Sequence, residues 1–413
     1  MGNDVRGFQR ADDSDQGEED GNGRAVMKGE AKTLRELARS QVLKLVPYSP
    51  GRPIEEVQRE FGLDDVVKLA SNENPLGPSP LAVQAIREML QELHRYPDGG
   101  CHNLREALGQ RLGVKPEQLC VGNGSNELLE LVTRAFVGPE DEAVMGHPAF
   151  IVYRSVCQAV GCQIREVPLK EFTYDLSGIR RAMTSRTKLV FLGNPNNPTG
   201  TCVAPGDLNN FVQELPGHVI LVVDEAYREY LPGHLQPDLL RHIREGRYLL
   251  ALRTFSKAYG LAGLRVGYGV GPQEMMEILH RVRQPFNVNT LAQRAALAAL
   301  DDSAHLEKTL RITEMGRRRL QSQLEELGLS YVPTVTNFIL VNVGLEGAAV
   351  ASALFRRGVI VRSMEGYGLP TYIRLTIGTS QENNRAIDVL AALLAEMQTA
   401  VKPSSPPGGR SGK

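Results

Sequence analysis

Through the middle of the chain, short β-branched or Leu-rich runs alternate with longer stretches of helical periodicity. The runs are QLCV from Gln118, KLVFLG from Lys188, HVILVV from His218, YLLALR from Tyr248 and RVGYGV from Arg265, and an amphipathic helix starts at about Ser125. Continuously apolar strands separated by helices predict a mostly parallel sheet covered by helices. From about Asp302 the pattern changes to a long charged helix, then FILVNV, a helix, GVIVR, IRLTIG and a last helix AIDVLAALLAEMQ. That second pattern predicts a smaller α+β domain over 302–400, beside a large α/β domain over 81–301. Residues 33–80 have few periodic runs and several Pro and Gly, and are expected to form an arm that packs on the small domain or reaches another subunit. Residues 1–32, with the run ADDSDQGEEDGNG, and 401–413 hold too few apolar side chains to offset the entropy of ordering, and are expected to be disordered.

Composition narrows the function classes. A hydrophobic content of 42% suffices for a large core, and 47 Lys and Arg against 48 Asp and Glu leave no global field that favours nucleic acid or an anionic membrane. The five cysteines, Cys101, Cys120, Cys157, Cys162 and Cys202, are odd in number and lack the paired spacing of a zinc or redox motif. No metal site is expected, and the thiols are expected to stay reduced in a cytosol. No apolar run approaches the about 20 residues that span a bilayer, and the N-terminus is acidic rather than basic then apolar.

Four segments carry candidate chemistry. In YLLALRTFSKAYGLAGLRVGYG, Lys257 follows a buried strand, where α/β proteins place ligands, and its amine can form an imine with an aldehyde if burial or a cationic neighbour lowers its pKa. The hydroxyls of Thr254 and Ser256 and the fork of Arg265 suit a phosphate dianion. A solvated loop lysine beside a structural arginine is the competing interpretation. In HVILVVDEAYREY, Asp224 ends an apolar strand, where a carboxylate is costly unless a cation such as a protonated pyridine nitrogen meets it. The competing interpretation is a helix N-cap.

KLVFLGNPNNPTG runs a strand into a Pro-rich turn that presents Asn197, or is a turn and nothing more. QLCVGNGSNELLELV places the backbone N–H groups of Ser125 and Asn126 at a helix start, where an anion is favoured. It lacks the third glycine of a dinucleotide fingerprint. Phe150 in GHPAFIVY, Tyr96 in RYPDGG and Tyr48 in VPYSPG are aromatic candidates for stacking or substrate contact, each with packing as the plainer role. Arg362, at the end of GVIVR, and Arg374, inside YIRLTIG, interrupt apolar strands and call for an anionic partner: a structural carboxylate, or a substrate carboxylate or phosphate.

Together the strings KLASNENPLGPSP, RYPDGG, GNGSNE, NPNNPTG, VVDEAY, RTFSKAYGLAGLRVGY, QPFNVN, VRSMEGYGLP and IRLTIG resemble the fold-type-I aminotransferases, and ASNENPLGPSP, QPFNVN and GYGLP resemble their histidinol-phosphate branch. The resemblance runs from about Tyr48 to Thr379. It implies pyridoxal phosphate held by Lys257 as a Schiff base, with the same lysine shuttling the proton, and Asp224 on the pyridine nitrogen. It places Asn197 and Tyr227 on the phenolic oxygen and Phe150 on the ring. The cofactor phosphate would lie among Ser125, Asn126, Thr254, Ser256 and Arg265, with Tyr96 arriving from the other subunit of a cytoplasmic homodimer. Arg374 would take the carboxylate of glutamate or the phosphate of histidinol phosphate, assisted by Arg362 and Tyr48. The family commonly has Ala then Asp where Ser125 and Asn126 stand, which leaves the backbone donors in place. The implied reaction transfers an amino group between histidinol phosphate and 2-oxoglutarate. An aromatic amino-acid aminotransferase or a threonine-phosphate decarboxylase would keep the same cofactor shell, a regulatory binding protein could keep the fold without turnover, and a nicotinamide-dependent oxidoreductase is opposed by the imperfect glycine pattern.

Overall fold

The computed structural model describes residues 33–47 and 53–401. Tyr48 and the two expected disordered ends up to residue 32 and beyond 401 lie outside the described residues. The chain divides into two compact units at Lys44/Leu45. Within the first, Thr33 accepts from Glu36 N and Glu36 returns the bond to Thr33 N at 2.7 Å, a reciprocal cap that starts the short helix Leu34–Leu37. A second short helix covers Ser40–Leu43.

The second unit holds thirteen strands among the described residues: β1 (Val67–Lys68), β2 (Leu119–Gly122), β3 (Glu142–His147), β4 (Gln163–Pro168), β5 (Thr187–Gly193), β6 (Ile220–Asp224), β7 (Leu249–Thr254), β8 (Gly267–Val270), β9 (Ser330–Val332), β10 (Phe338–Asn342), β11 (Val359–Ile360), β12 (Arg362–Ser363) and β13 (Tyr372–Thr376). Seven form the main sheet in the order β2-β8-β7-β6-β5-β3-β4. Only β8 runs against its neighbours; β7, β6, β5, β3 and β4 pair in parallel. Strands β6 and β7 are buried at every position, as expected for parallel strands covered on both faces. Helices such as Ser125–Phe136 and Gln273–Val282 turn Leu128, Leu129, Met275 and Leu279 onto this core.

Two strands of the main sheet, β3 and β4, are absent from the apolar runs of the sequence. β4 is an edge strand that buries only Val167, so QIREVP shows no apolar run. β3 starts on Glu142, whose side chain is fully buried and accepts from Arg165 and Arg186, both at 2.6 Å, and from Thr184. A charge satisfied in this way can open a core strand.

The C-terminal part forms an antiparallel sheet β12-β13-β10-β9 backed by the 24-residue helix Ser303–Glu326 and the helix Ser380–Val401. β1, from the N-terminal side, pairs in parallel with β11 and so ties residues 67–68 to this part. The run GVIVR is broken at Val361, so Arg362 opens β12 instead of ending the preceding strand. That break sets Arg362 directly opposite Arg374 in the β12–β13 ladder.

Candidate active site

Carboxyl ends of parallel strands converge where adjacent loops leave a crevice. Here β5, β6 and β7 end at Gly193, Asp224 and Thr254, and the loops after them line one cavity together with the start of the Ser125 helix and residues of the C-terminal sheet. The lining includes Ser125, Asn126, Phe150, Asn197, Asp224, Tyr227, Thr254, Ser256, Lys257, Arg265, Arg362 and Arg374. Twelve of the fourteen residues singled out in the sequence therefore meet in one place. Tyr96 is elsewhere: it is 82% exposed and stacks on Phe286 with ring centroids 4.7 Å apart.

Asp224 caps no α-helix. Its Oδ1 accepts from Ala226 N at 3.1 Å and its Oδ2 from the Tyr153 hydroxyl at 3.0 Å. Burial pushes the carboxyl up to about 6, against the Tyr153 and Ala226 hydrogen bonds, which favour the ionised form. A buried carboxylate in this state gains from a cationic partner. One residue on, Glu225 and Arg253 pair at 2.8 Å in the core, so the chain separates a satisfied ion pair from the carboxylate that faces the cavity.

The Lys257 Nζ donates to Ser71 O at 3.0 Å and lies 5.9 Å from the Tyr227 ring centroid. Burial, then the neighbouring Arg374 guanidinium, pull its amine down to about 8. The amine is therefore buried in the cavity and not a solvated loop side chain, and a lowered pKa favours its uncharged, nucleophilic form.

Next to it is an anion cradle. The Ser125 helix opens after Gly124, which adopts φ 75°, and Ser256 N donates to Thr254 Oγ1 at 3.1 Å. Arg265 Nη1 donates to Ser256 Oγ at 3.3 Å. Glycines permit this approach: a Cβ on Gly124 would meet Arg265 Nη2 at 2.5 Å, and one on Gly267 would meet Ser125 N at 2.5 Å. A helix N-terminus, two hydroxyls and a guanidinium in one corner suit a phosphate dianion.

The opposite wall comes from the C-terminal sheet. Arg374 is buried, with Nη2 donating to Ala70 O at 2.8 Å and Nη1 donating to Asn197 Oδ1. With the carbonyl so engaged, the group Asn197 offers the cavity is its amide N–H. Arg362, the cross-strand partner of Arg374, also lines the cavity. Like charges directly opposite across a ladder repel, and an anion between them removes the penalty.

The cavity also contains Ser71, Asn72, Tyr153 and Tyr367, to which sequence reasoning assigned no role. Tyr153 is three positions after Phe150, on the first turn of the helix Ile151–Val160, and stacks on Phe191 at 5.3 Å. Its spacing from Phe150 was the available signal, but its partner Asp224 is 71 residues away. Asn72 lies in the string KLASNENPLGPSP, whose pattern carries the family resemblance but assigns no role to that residue.

The Aminotransferase class I and II profile matches residues 64–390. The chain is 49% identical over 358 residues to the histidinol-phosphate aminotransferase of Moorella thermoacetica, covering 86% of this chain and 93% of that protein. It is 48% identical over 365 residues to the enzyme of the same name from Akkermansia muciniphila, covering 88% of this chain and 100% of that one. Among solved structures it resembles a Sinorhizobium meliloti histidinol-phosphate aminotransferase in complex with pyridoxal-5'-phosphate, with a TM-score of 0.80, 27% identity and coverage of 91% of this chain and 100% of that one. A Thermus thermophilus aspartate aminotransferase double mutant gives a TM-score of 0.74 at 28% identity, with coverage of 86% and 99%.

Proposed function

The chain belongs to the aminotransferase class I and II family, and from that premise we propose that it is a pyridoxal-phosphate-dependent histidinol-phosphate aminotransferase. It moves an amino group between histidinol phosphate and 2-oxoglutarate. The observation that carries the reading is the convergence, in one cavity, of a lysine with a depressed pKa, a buried carboxyl with a raised one, an anion cradle and a cross-strand arginine pair.

The residues present fit pyridoxal phosphate. Asp224 would gain a cationic partner in the ring nitrogen, Lys257 offers an amine for attachment, and the close approach at Gly124 and Gly267 leaves room in the cradle for a phosphate. When bound, the cofactor supplies an aldehyde for covalent attachment and a ring that accepts the electron pair left when a substrate's α-proton departs. Lys257 would be the residue that anchors the cofactor, and its Nζ would be the group that takes and returns the substrate's α-proton. Asp224 would hold a proton on the ring nitrogen by supplying its counter-charge. Asn197 and Tyr227 would donate to the ring's phenolic oxygen, Phe150 would pack on the ring, and Ser125, Asn126, Thr254, Ser256 and Arg265 would hold the phosphate. Arg374 would take the carboxylate of glutamate or, with Arg362, the phosphate of the other substrate, and Tyr48, outside the described residues, is assigned to the same phosphate by the family resemblance alone.

The same reading places the cofactor on the large domain over 81–301, with the smaller domain over 302–400 supplying the arginines. It makes the protein a cytoplasmic homodimer in which Tyr96 reaches the partner's site. One observation supports the shared site: Tyr96 is exposed and is not among the residues that line its own chain's cavity. No helix among the described residues is long and apolar enough to cross a membrane.

A panel of amino donors offered with 2-oxoglutarate, read as glutamate formed, tests the substrate. Histidinol phosphate should give the highest kcat/KM. Phenylalanine or tyrosine at equal or higher kcat/KM would make the protein an aromatic aminotransferase, and carbon dioxide release without a 2-oxo acid would make it a decarboxylase.

A further inference from the structure

Tyr227 has one proton to give, and the structure determines where it points. Asn72 is 1% exposed and held at φ 56°, in the left-handed region. Its backbone N–H, which can only donate, bonds Thr376 Oγ1 at 3.0 Å. The Thr376 hydroxyl, having accepted there, directs its own proton to Asn72 Oδ1 at 3.1 Å. That contact settles the amide orientation, so the Asn72 Nδ2 group is the one that faces Tyr227, donating to its Oη at 2.9 Å. Tyr227 Oη therefore accepts from Asn72 and keeps its proton for the cavity that both residues line. The Asn72 backbone carbonyl is tied as well, accepting from Asn337 Nδ2 at 3.0 Å.

We propose that Asn72 is a positioning residue that turns the Tyr227 hydroxyl proton toward the cofactor's phenolic oxygen, and that Thr376 of β13 locks it in that role. The inference rests on the reading of Tyr227 as a donor to the bound cofactor. It explains why a left-handed, fully buried asparagine stands between the two sheets: backbone strain of this kind persists where surrounding bonds over-determine it. It also makes β13 a single control element, because Arg374 and Thr376 are two residues apart and so face the same side of the strand. One orients Asn197 through its carbonyl, and the other orients Tyr227 through Asn72. Lys257, Asp224, Arg374 and Tyr367 also face Tyr227 and stay unchanged in every variant below.

The test is a pH titration of the holoenzyme's visible absorbance, which reports the ionisation of the bound cofactor without turnover. Loss of a hydrogen bond to a developing oxyanion should raise the midpoint by about one unit in Tyr227→Phe. Asn72→Asp keeps the acceptor for Thr376 but replaces the donor toward Tyr227 with a second acceptor, so the tyrosine proton turns away. The midpoint should rise by about as much. In the double variant it should rise no further than in Tyr227→Phe alone, whereas a carboxylate acting through its charge would add to it. Thr376→Val frees the Asn72 amide and should give a smaller rise that also vanishes when combined with Tyr227→Phe; it decides the matter if Asn72→Asp does not fold. A wild-type midpoint in Asn72→Asp and Thr376→Val, or shifts that add to that of Tyr227→Phe, overturns the positioning role. An unchanged midpoint in Tyr227→Phe itself overturns the donor role of Tyr227 instead.

Discussion

At the scale of single residues, the cavity sets two titratable groups in opposite directions. Lys257 is pulled down to about 8 by burial and Arg374, and Asp224 is pushed up to about 6 by burial. Lys257→Ala removes the anchor and the proton carrier without touching the core, so transamination should fall below detection while circular dichroism stays native; borohydride treatment of the wild-type holoenzyme should label this lysine alone. For Asp224 the sign of the linkage matters. Its folded pKa exceeds the ordinary carboxylate value, so the folded apoprotein binds the proton more tightly and loses stability as pH rises from about 4 to about 6. Asp224→Asn should therefore leave the apoprotein melting temperature at pH 7 unchanged or higher, yet remove most activity, since the ring nitrogen loses its counter-charge. Near-normal turnover would reduce Asp224 to a turn-forming aspartate. The arginines separate by substrate: Arg374→Lys should lower kcat/KM for both histidinol phosphate and glutamate. Arg362→Ala should lower kcat/KM chiefly for the phosphorylated substrate, by about 1.5–3 kcal/mol for one charge-assisted contact. Equal losses for histidinol phosphate and phenylalanine in Arg362→Ala would make the pair structural.

At the scale of elements, the phosphate corner depends on how closely β8 passes the start of the Ser125 helix. Gly267 opens β8, and a Cβ there would lie 2.5 Å from Ser125 N and 2.8 Å from Arg253 O, two backbone atoms that cannot swing aside. Gly267→Ala should therefore weaken cofactor binding at least about tenfold, the equivalent of roughly 1.4 kcal/mol, measured by titrating apoenzyme with pyridoxal phosphate. Gly263→Ala, which meets nothing within 4 Å, should bind normally. The apolar runs that became β5, β6 and β7 could be read along the chain because a strand buried on both faces has little choice of residue. β4 could not, since an edge strand tolerates QIREVP, and neither could the break at Val361 that brings Arg362 into register with Arg374.

For the molecule as a whole, stability should depend on a charge far from the chemistry. Glu142 joins β3 to Arg165 of β4 and to Arg186 just ahead of β5, and the Arg165 guanidinium is the largest cause that holds its carboxyl down at about 2. A depressed folded pKa contributes stability that is complete above the ordinary carboxylate range and is lost as pH falls from about 5 toward about 2. Glu142→Gln should lower the melting temperature at pH 7 and flatten its fall in acid. Both arginines are nearly half exposed, so the loss is expected to be about 1–2 kcal/mol, below that of a fully buried pair. A variant as stable as wild type at pH 7, with the same acid slope, would remove Glu142 from the account.

Reading along the chain was enough for the α/β class, for Asp224 at a strand end and Lys257 just past one, and for the hydroxyls and Arg265 that line the same cavity. These are local: a carboxylate or an amine at the end of an apolar strand is legible because its cost and its neighbours lie within a few positions of it. It took the folded chain to show that Tyr153 bonds Asp224 across 71 positions and that Thr376 orients Asn72 across 304. The same holds for Arg362 and Arg374, which face one another only in the paired sheet. Side-chain hydrogen bonds have no period along the chain, so their partners exist only once the packing of the two sheets has brought distant segments within about 3 Å.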